Sequence, residues 1–174
     1  MKRLPLYLLS FAVCIILLSC NKSGFKGFKK MDNGTYMRFH NENRNGEMPV
    51  IGDHVYISFN ESIGDSLIYN SDLDEESNNE VEVYEPTFVG DMMAGLLNMH
   101  VGDSATVAFL IDSMCIKTLG MSTVPDNLVA GTPMYLDIRL DSIIKAEVVE
   151  ARYAEKLRRS RSEERFSRNA ETDL

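Results

Sequence analysis

In four separate stretches of this sequence every second residue is apolar. Between Asp53 and Asn60, Val55, Ile57 and Phe59 fall on one face, and His54, Tyr56 and Ser58 on the other. Ala105, Val107, Phe109 and Ile111 alternate with Thr106, Ala108 and Leu110; Met134, Leu136, Ile138 and Leu140 alternate with Tyr135, Asp137 and Arg139. Glu80-Val81-Glu82-Val83 repeats the pattern in miniature, and a weaker alternation runs from Gly34 to His40. A period of two puts every second side chain on one side of an extended backbone. Each run therefore predicts a strand with one buried face, and together they predict an antiparallel sheet. Asp91–Met99 breaks the rule. There Met92, Met93, Leu96, Leu97 and Met99 stand at helical spacing, with Asp91 placed to cap the start and Gly102 to follow the end. The expectation is an α+β domain over residues 34–144: a twisted antiparallel sheet of five to six strands around one short helix.

The start of the chain has another character. Met1-Lys2-Arg3 precedes an almost wholly apolar run of fifteen residues, Leu4–Leu18. That is short of the ~20 residues a membrane span needs, and it suits the core of an export signal. The run ends in Leu17-Leu18-Ser19-Cys20. This resembles the bacterial lipobox, whose cysteine is diacylated on sulfur and becomes the new N-terminus. The expectation is a lipoprotein signal peptide over 1–19, lipidation of Cys20 and a tether over 20–33. A plain signal peptide with an accidental cysteine is the simpler alternative. Asn21-Lys22-Ser23-Gly24 lacks an acidic pair after the cysteine, so a membrane-anchored lipoprotein of the cell envelope, on the outer membrane and facing the periplasm, is favoured over a surface-exposed one. Once the leader and Cys20 are accounted for, Cys115 is the one free thiol among the three cysteines. An intramolecular disulfide is then impossible, and an inert buried thiol is expected.

Charge sets further bounds. The leader carries two bases and no acid, so its removal takes the net charge from −8 to −10. From Asn45 to Ile116 there are fourteen acids and no Lys or Arg. Nucleic acid is excluded as a partner on these grounds. Residues 145–174 hold eight bases and seven acids, with Ala146, Val149, Tyr153 and Leu157 in a narrow helical stripe. Beyond Arg158 the apolar residues are Phe166, Ala170 and Leu174, so 145–174 is expected to be a polar tail, helical at first and then disordered.

The order of these pieces carries a resemblance. Gly52-Asp53-His54-Val55-Tyr56-Ile57-Ser58-Phe59 resembles the G-D-x-V-x-V-x-Y strand of FKBP-type peptidyl-prolyl isomerases, and Asp65-Ser66-Leu67-Ile68-Tyr69-Asn70-Ser71 their D-G-x-x-F-D-S segment. Phe88-Val89-Gly90-Asp91, followed by Gly95-Leu96-Leu97-Asn98-Met99-His100-Val101-Gly102-Asp103, is similar to their helix and turn. Met134–Leu140 resembles their closing L-x-F-x-V-x-L strand. The match spans Gly34 to Ile143. It implies an FKBP-like sheet wrapped on its helix, and prolyl cis–trans isomerisation or proline-peptide binding on exported polypeptides. Lipoprotein members with a Gly-Asp turn like Gly102-Asp103 belong to Bacteroidota envelopes, some of them associated with gliding or protein secretion.

Such chemistry needs no nucleophile, metal or cofactor. Turning an X–Pro bond breaks amide resonance against a barrier of ~18–20 kcal/mol. An apolar cavity that strips water from the imide favours the twisted, less polar state. The resemblance implies Phe59 and Tyr69 as aromatic walls, Val89 as a backbone N–H donor beneath the ligand, Leu128 on a flap and Leu136 on the last strand. Asn70 stands where the family has Asp, Met92 where many members have a floor tryptophan, and Cys115 near a hydrogen-bonding tyrosine. The pocket so implied has a softer floor, no lip hydroxyl and a neutral group at position 70. These departures leave open a catalytically degenerate module, serving as subunit or chaperone of an envelope secretion or gliding machine. Taken singly, Val89, Met92 and Leu136 read equally as core, and Phe59 and Tyr69 as ordinary strand aromatics.

Two other signals point to bland outcomes. His40, His54 and His100 have no ligand partner at i+3 or i+4, so no metal site is expected. Asp72, Asp74, Glu75, Glu76 and Glu80 lack the EF-hand register and read as a solvated loop, with weak calcium binding or attraction of basic clients as the alternatives.

Overall fold

The structure, a computed structural model, describes residues 24–74 and 79–172. The expected signal peptide, the lipidation site Cys20, and Glu75 and Glu76 of the acidic loop lie outside these residues. Among the described residues seven strands form one antiparallel sheet: β1 (Lys29–Lys30), β2 (Tyr36–Asn41), β3 (His54–Ile63), β4 (Ser66–Asn70), β5 (Glu80–Glu82), β6 (Ser104–Leu110) and β7 (Pro133–Ile144). Their order is β1-β2-β6-β7-β3-β4, with β5 pairing the start of β3. The architecture is the expected α+β class. The strand count exceeds five to six because β1 is only two residues long and β4, with Leu67, Ile68 and Tyr69 in succession, carries no alternation.

The alternation explains the core. On β3, Val55, Ile57 and Phe59 face inward; on β7 their partners are Ile143, Leu140 and Ile138. Ala105, Val107 and Phe109 of β6 meet Ile138, Leu136 and Met134 of β7 in the same row. Leu140 and Ile143 are three residues apart and still share the inner face. A register shift between Tyr56 and Ile57 absorbs the odd residue and restores the phase. Ile57, Leu96, Met99, Ile138 and Leu140 are fully buried, and burial of each such side chain stabilises the fold by about 1.5–3 kcal/mol.

The inner face wraps helix α1 (Met92–Leu96). It is shorter than the apolar spacing over 91–99 implied, because the chain tightens after Leu96 into turns in which Asn98 N–H donates to Gly95 O and Met99 N–H to Leu96 O. Asp91 caps it, accepting the Ala94 N–H at 2.8 Å. Gly95 is required by contact: a Cβ there would lie 2.5 Å from Val107 Cγ2 on β6. After β6 the chain makes helix α2 (Ile111–Ser113), which runs on as a π-helical turn, Met114–Thr118.

The outer face is covered by a segment expected to be tether. β1 pairs β2, Phe28 stacks on Tyr135 at 5.8 Å between centroids, and Phe25 meets Tyr36 edge-on at 5.2 Å. At the other end helix α3 (Ala146–Thr172) continues well past Arg158, where disorder was expected. The sequence there is polar, but it is rich in helix formers and oppositely charged neighbours. Arg159 Nε reaches Glu163 at 3.0 Å, and Arg158 pairs with Glu155. Val148, Tyr153 and Leu157 remain exposed along it. Among the described residues no helix is long and apolar enough to cross a membrane.

Candidate functional site

A recess opens where the N-terminal end of α1 meets β3, β6 and β7. Met92 and Met93 come from α1, Phe109 from β6, Leu136 from β7 and Glu61 from β3. Tyr84, Thr87 and Asp91 come from the loop that enters α1, and Met114 and Thr118 from the π-helical turn. Two lips frame the opening. The Thr87 and Thr118 hydroxyls are 2.8 Å apart and tie one lip to the other. Asp91 holds the first lip: one carboxylate oxygen caps α1, and the other accepts from Thr87 N–H at 2.6 Å and from the Thr87 hydroxyl at 3.0 Å. The buried Asp91 charge is thereby spent on local donors.

Glu61 has no such partners. It occupies the inner face of β3 opposite Tyr69 of β4 and Leu136 of β7, in the row that Val55, Ile57 and Phe59 begin. Among the described residues no hydrogen bond or ion pair engages its carboxylate. Burial pushes the Glu61 carboxyl above its ordinary value.

Of the eight residues implied as substrate-binding, Met92 and Leu136 line this recess. Phe59 and Tyr69 pack together beside it, their rings tilted with centroids 5.2 Å apart. The Tyr69 hydroxyl is turned to Asp74 Oδ2, 2.9 Å away. Asn70 uses its side chain to accept the Asp72 N–H at 2.8 Å, starting the 3-10 turn Ser71–Leu73. Val89 is 68% exposed and lies against Gly34, whose hypothetical Cβ would touch it. Cys115 is 2% exposed and packed in the core; its neighbour Met114 reaches the recess instead. Leu128 packs against the core from the loop that follows.

Several lining residues lay within the sequence patterns without being singled out. Phe109 continues the β6 row and Met93 the helical stripe. Glu61 is where the β3 period of two, extended one step past Phe59, puts a charge on the apolar face. Met114 and Thr118 left no signal, since a π-helical turn has neither strand nor α-helical spacing. The histidines are dispersed: His40 Nε2 meets Thr106 Oγ1 at 2.7 Å, His54 Nδ1 meets Glu80 Oε1 at 2.8 Å, and His100 lies by Asp103.

No protein-family model matches the chain, and no curated protein matches it. Solved structures do. It is similar to a peptidyl-prolyl cis-trans isomerase from Pseudomonas syringae pv. tomato at a TM-score of 0.52 and 15% identity, over 83% of this chain and all of that one. It is also similar to the three FKBP domains of wheat FKBP73, at a TM-score of 0.52 and 17% identity, over 68% of this chain and 50% of that one. At such identities the likeness speaks for the fold alone, and the fold of this chain is of the FKBP type.

Proposed function

We propose that the recess beneath the Thr87–Thr118 bridge binds proline-containing segments of exported polypeptides and speeds rotation about their prolyl bonds. The observation that carries this reading is an apolar recess on an FKBP-type fold, floored by Met92 and walled by Leu136. A prolyl ring seated on Met92, Met93, Phe109 and Leu136 leaves its imide poorly hydrated, which favours the twisted state. No group need exchange a proton or form a bond. In this reading lipidation at Cys20 holds the protein on the envelope membrane, where it meets its clients.

A protease-coupled isomerisation assay on the purified full chain tests it. The rate should exceed the uncatalysed one. Met92→Ala should lower that excess roughly five- to thirtyfold by removing a contact of about 1–2 kcal/mol, whereas Met92→Trp should keep or raise it by enlarging the floor. A rate equal to the uncatalysed one rejects catalysis. A second reading then stands, a binding module within an envelope secretion or gliding assembly. It is favoured by the buried Cys115 and by the Asn70 side chain committed to its own turn.

A further inference from the structure

We infer that Glu61 makes the recess selective for segments in which a lysine or arginine lies directly beside the prolyl residue. The inference rests on the proline-binding reading and names the substrate class of that same site. The lining carries two carboxylates. Asp91 is saturated by N–H and hydroxyl donors from its own loop and helix. Among the described residues Glu61 has none, although strand pairing fixes it between Tyr69 and Leu136 on the inner face. The Tyr69 hydroxyl, on the residue paired with Glu61 across the strands, is bound instead to Asp74.

A carboxylate half withdrawn from water beside Leu136 and Phe109 is costly unless a cation approaches it. Among the described residues none does. No Lys or Arg occurs between residues 45 and 116, and none lines the recess. Arg139 is bound to Asp141 and Ser58, and Lys145 to Asp53 and Glu47. The missing partner must come with the ligand. A lysine or arginine next to the prolyl ring brings a long apolar stem that lies along the recess wall and a charged head for Glu61. A neighbouring glutamate brings like charge to the same place and is rejected.

The test measures binding of short proline peptides to the full chain by fluorescence anisotropy, with lysine, leucine or glutamate placed before or after the proline. The lysine peptides should bind about three- to tenfold more tightly than leucine and glutamate the most weakly, the range of a partly desolvated ion pair. Glu61→Gln should collapse the lysine-to-glutamate ratio toward one, and Glu61→Lys should reverse it. Equal binding of all three peptides by the wild type overturns the inference and leaves proline binding standing. So does a lysine preference that survives in Glu61→Gln. Binding of none of the peptides removes the proline-binding reading, and the inference with it. If Glu61→Gln fails to fold, Glu61→Leu, which continues the apolar row of β3, takes its place in the same comparison.

Discussion

Two carboxylates stand at opposite ends of β3, and their surroundings move them in opposite directions. Asp53, 1% exposed, is pushed up by burial, but Lys145 Nζ at 3.0 Å, with the N–H groups of Val50 and Ala146, outweighs this and holds it below the usual carboxylate range. Its folded form thus binds its proton less readily than the unfolded chain. The stability it contributes is full above about pH 4, the ordinary value, and is lost as pH falls through the lowered one. Asp53→Asn should cost about 1–3 kcal/mol near neutrality, with the deficit against wild type shrinking in acid; urea unfolding of both proteins from pH 2 to 7 reads this. Glu61 behaves in reverse. Its raised value means that the folded state holds a proton the unfolded chain has released, so stability falls as pH climbs from about 4 through the raised value. Glu61→Gln should be the more stable protein at neutrality, by a margin that vanishes toward pH 4 in the same titration. Glu61 was readable as the point where a polar residue enters an apolar row. Its lack of a partner was not, because that depends on Tyr69 turning to Asp74 across a strand pairing.

At the scale of elements, α1 is held against the sheet by one missing side chain. Replacing Gly95 with Ala improves helix propensity by up to about 1 kcal/mol, but the new methyl lies 2.5 Å from Val107 Cγ2, on a β-branched side chain that is fully buried. Overpacking of this kind costs about 1–3 kcal/mol, so the loss should prevail. Gly95→Ala should lower the melting temperature, and adding Val107→Ala should recover part of it by making room, a non-additivity that a double-mutant cycle measures. Tilting α1 also moves Asp91 and Met92, so peptide affinity should fall with stability in the single variant. The long strands were legible because β3, β6 and β7 each run through several alternations with one face dry. β5 showed in miniature as Glu80–Val83, whereas β1 is shorter than one readable period and Leu67-Ile68-Tyr69 of β4 do not alternate. Of the residues implied by resemblance, Phe59 and Tyr69 sit on regular strands beside the recess without lining it. Met92 and Leu136 sit on regular elements and reach the recess. Position 115 falls in a π-helical turn, where the wider winding buries Cys115 and turns Met114 to the recess.

For the molecule as a whole, the charge asymmetry legible in the sequence becomes a division of space. Fourteen acids and no Lys or Arg fall between Asn45 and Ile116, the stretch that runs from β3 through β6, whereas α3 carries seven bases beside six acids along about 40 Å of helix at 1.5 Å per residue. The sheet end of α3 is tied down through Lys145 and Ala146 to Asp53, while Tyr153 and Leu157 further along stand in solvent. Its continuation past Arg158 was hidden because composition reports the lack of a core-facing stripe, whereas Arg159–Glu163 pairing acts locally and needs no core. The other end of the described chain enters the fold earlier than its composition implied, with Phe25 and Phe28 against the outer face. With Cys20 lipidated as proposed, only four residues separate it in sequence from Phe25, which would keep the domain close to the membrane that holds the lipid. Two or three acyl chains at ~0.8 kcal/mol per buried CH₂ give an anchor that washing with salt does not release. On the proposed reading, wild-type protein expressed in a lipoprotein-processing bacterium should incorporate labelled palmitate and sediment with membranes. Cys20→Ala should incorporate none, and should either appear in the soluble fraction or keep its leader and a correspondingly larger mass. Wild-type protein that takes up no palmitate refutes the anchor. The recess on its FKBP-type fold would then serve polypeptides met away from the lipid surface, a change of setting that leaves the peptide-binding test of Glu61 untouched.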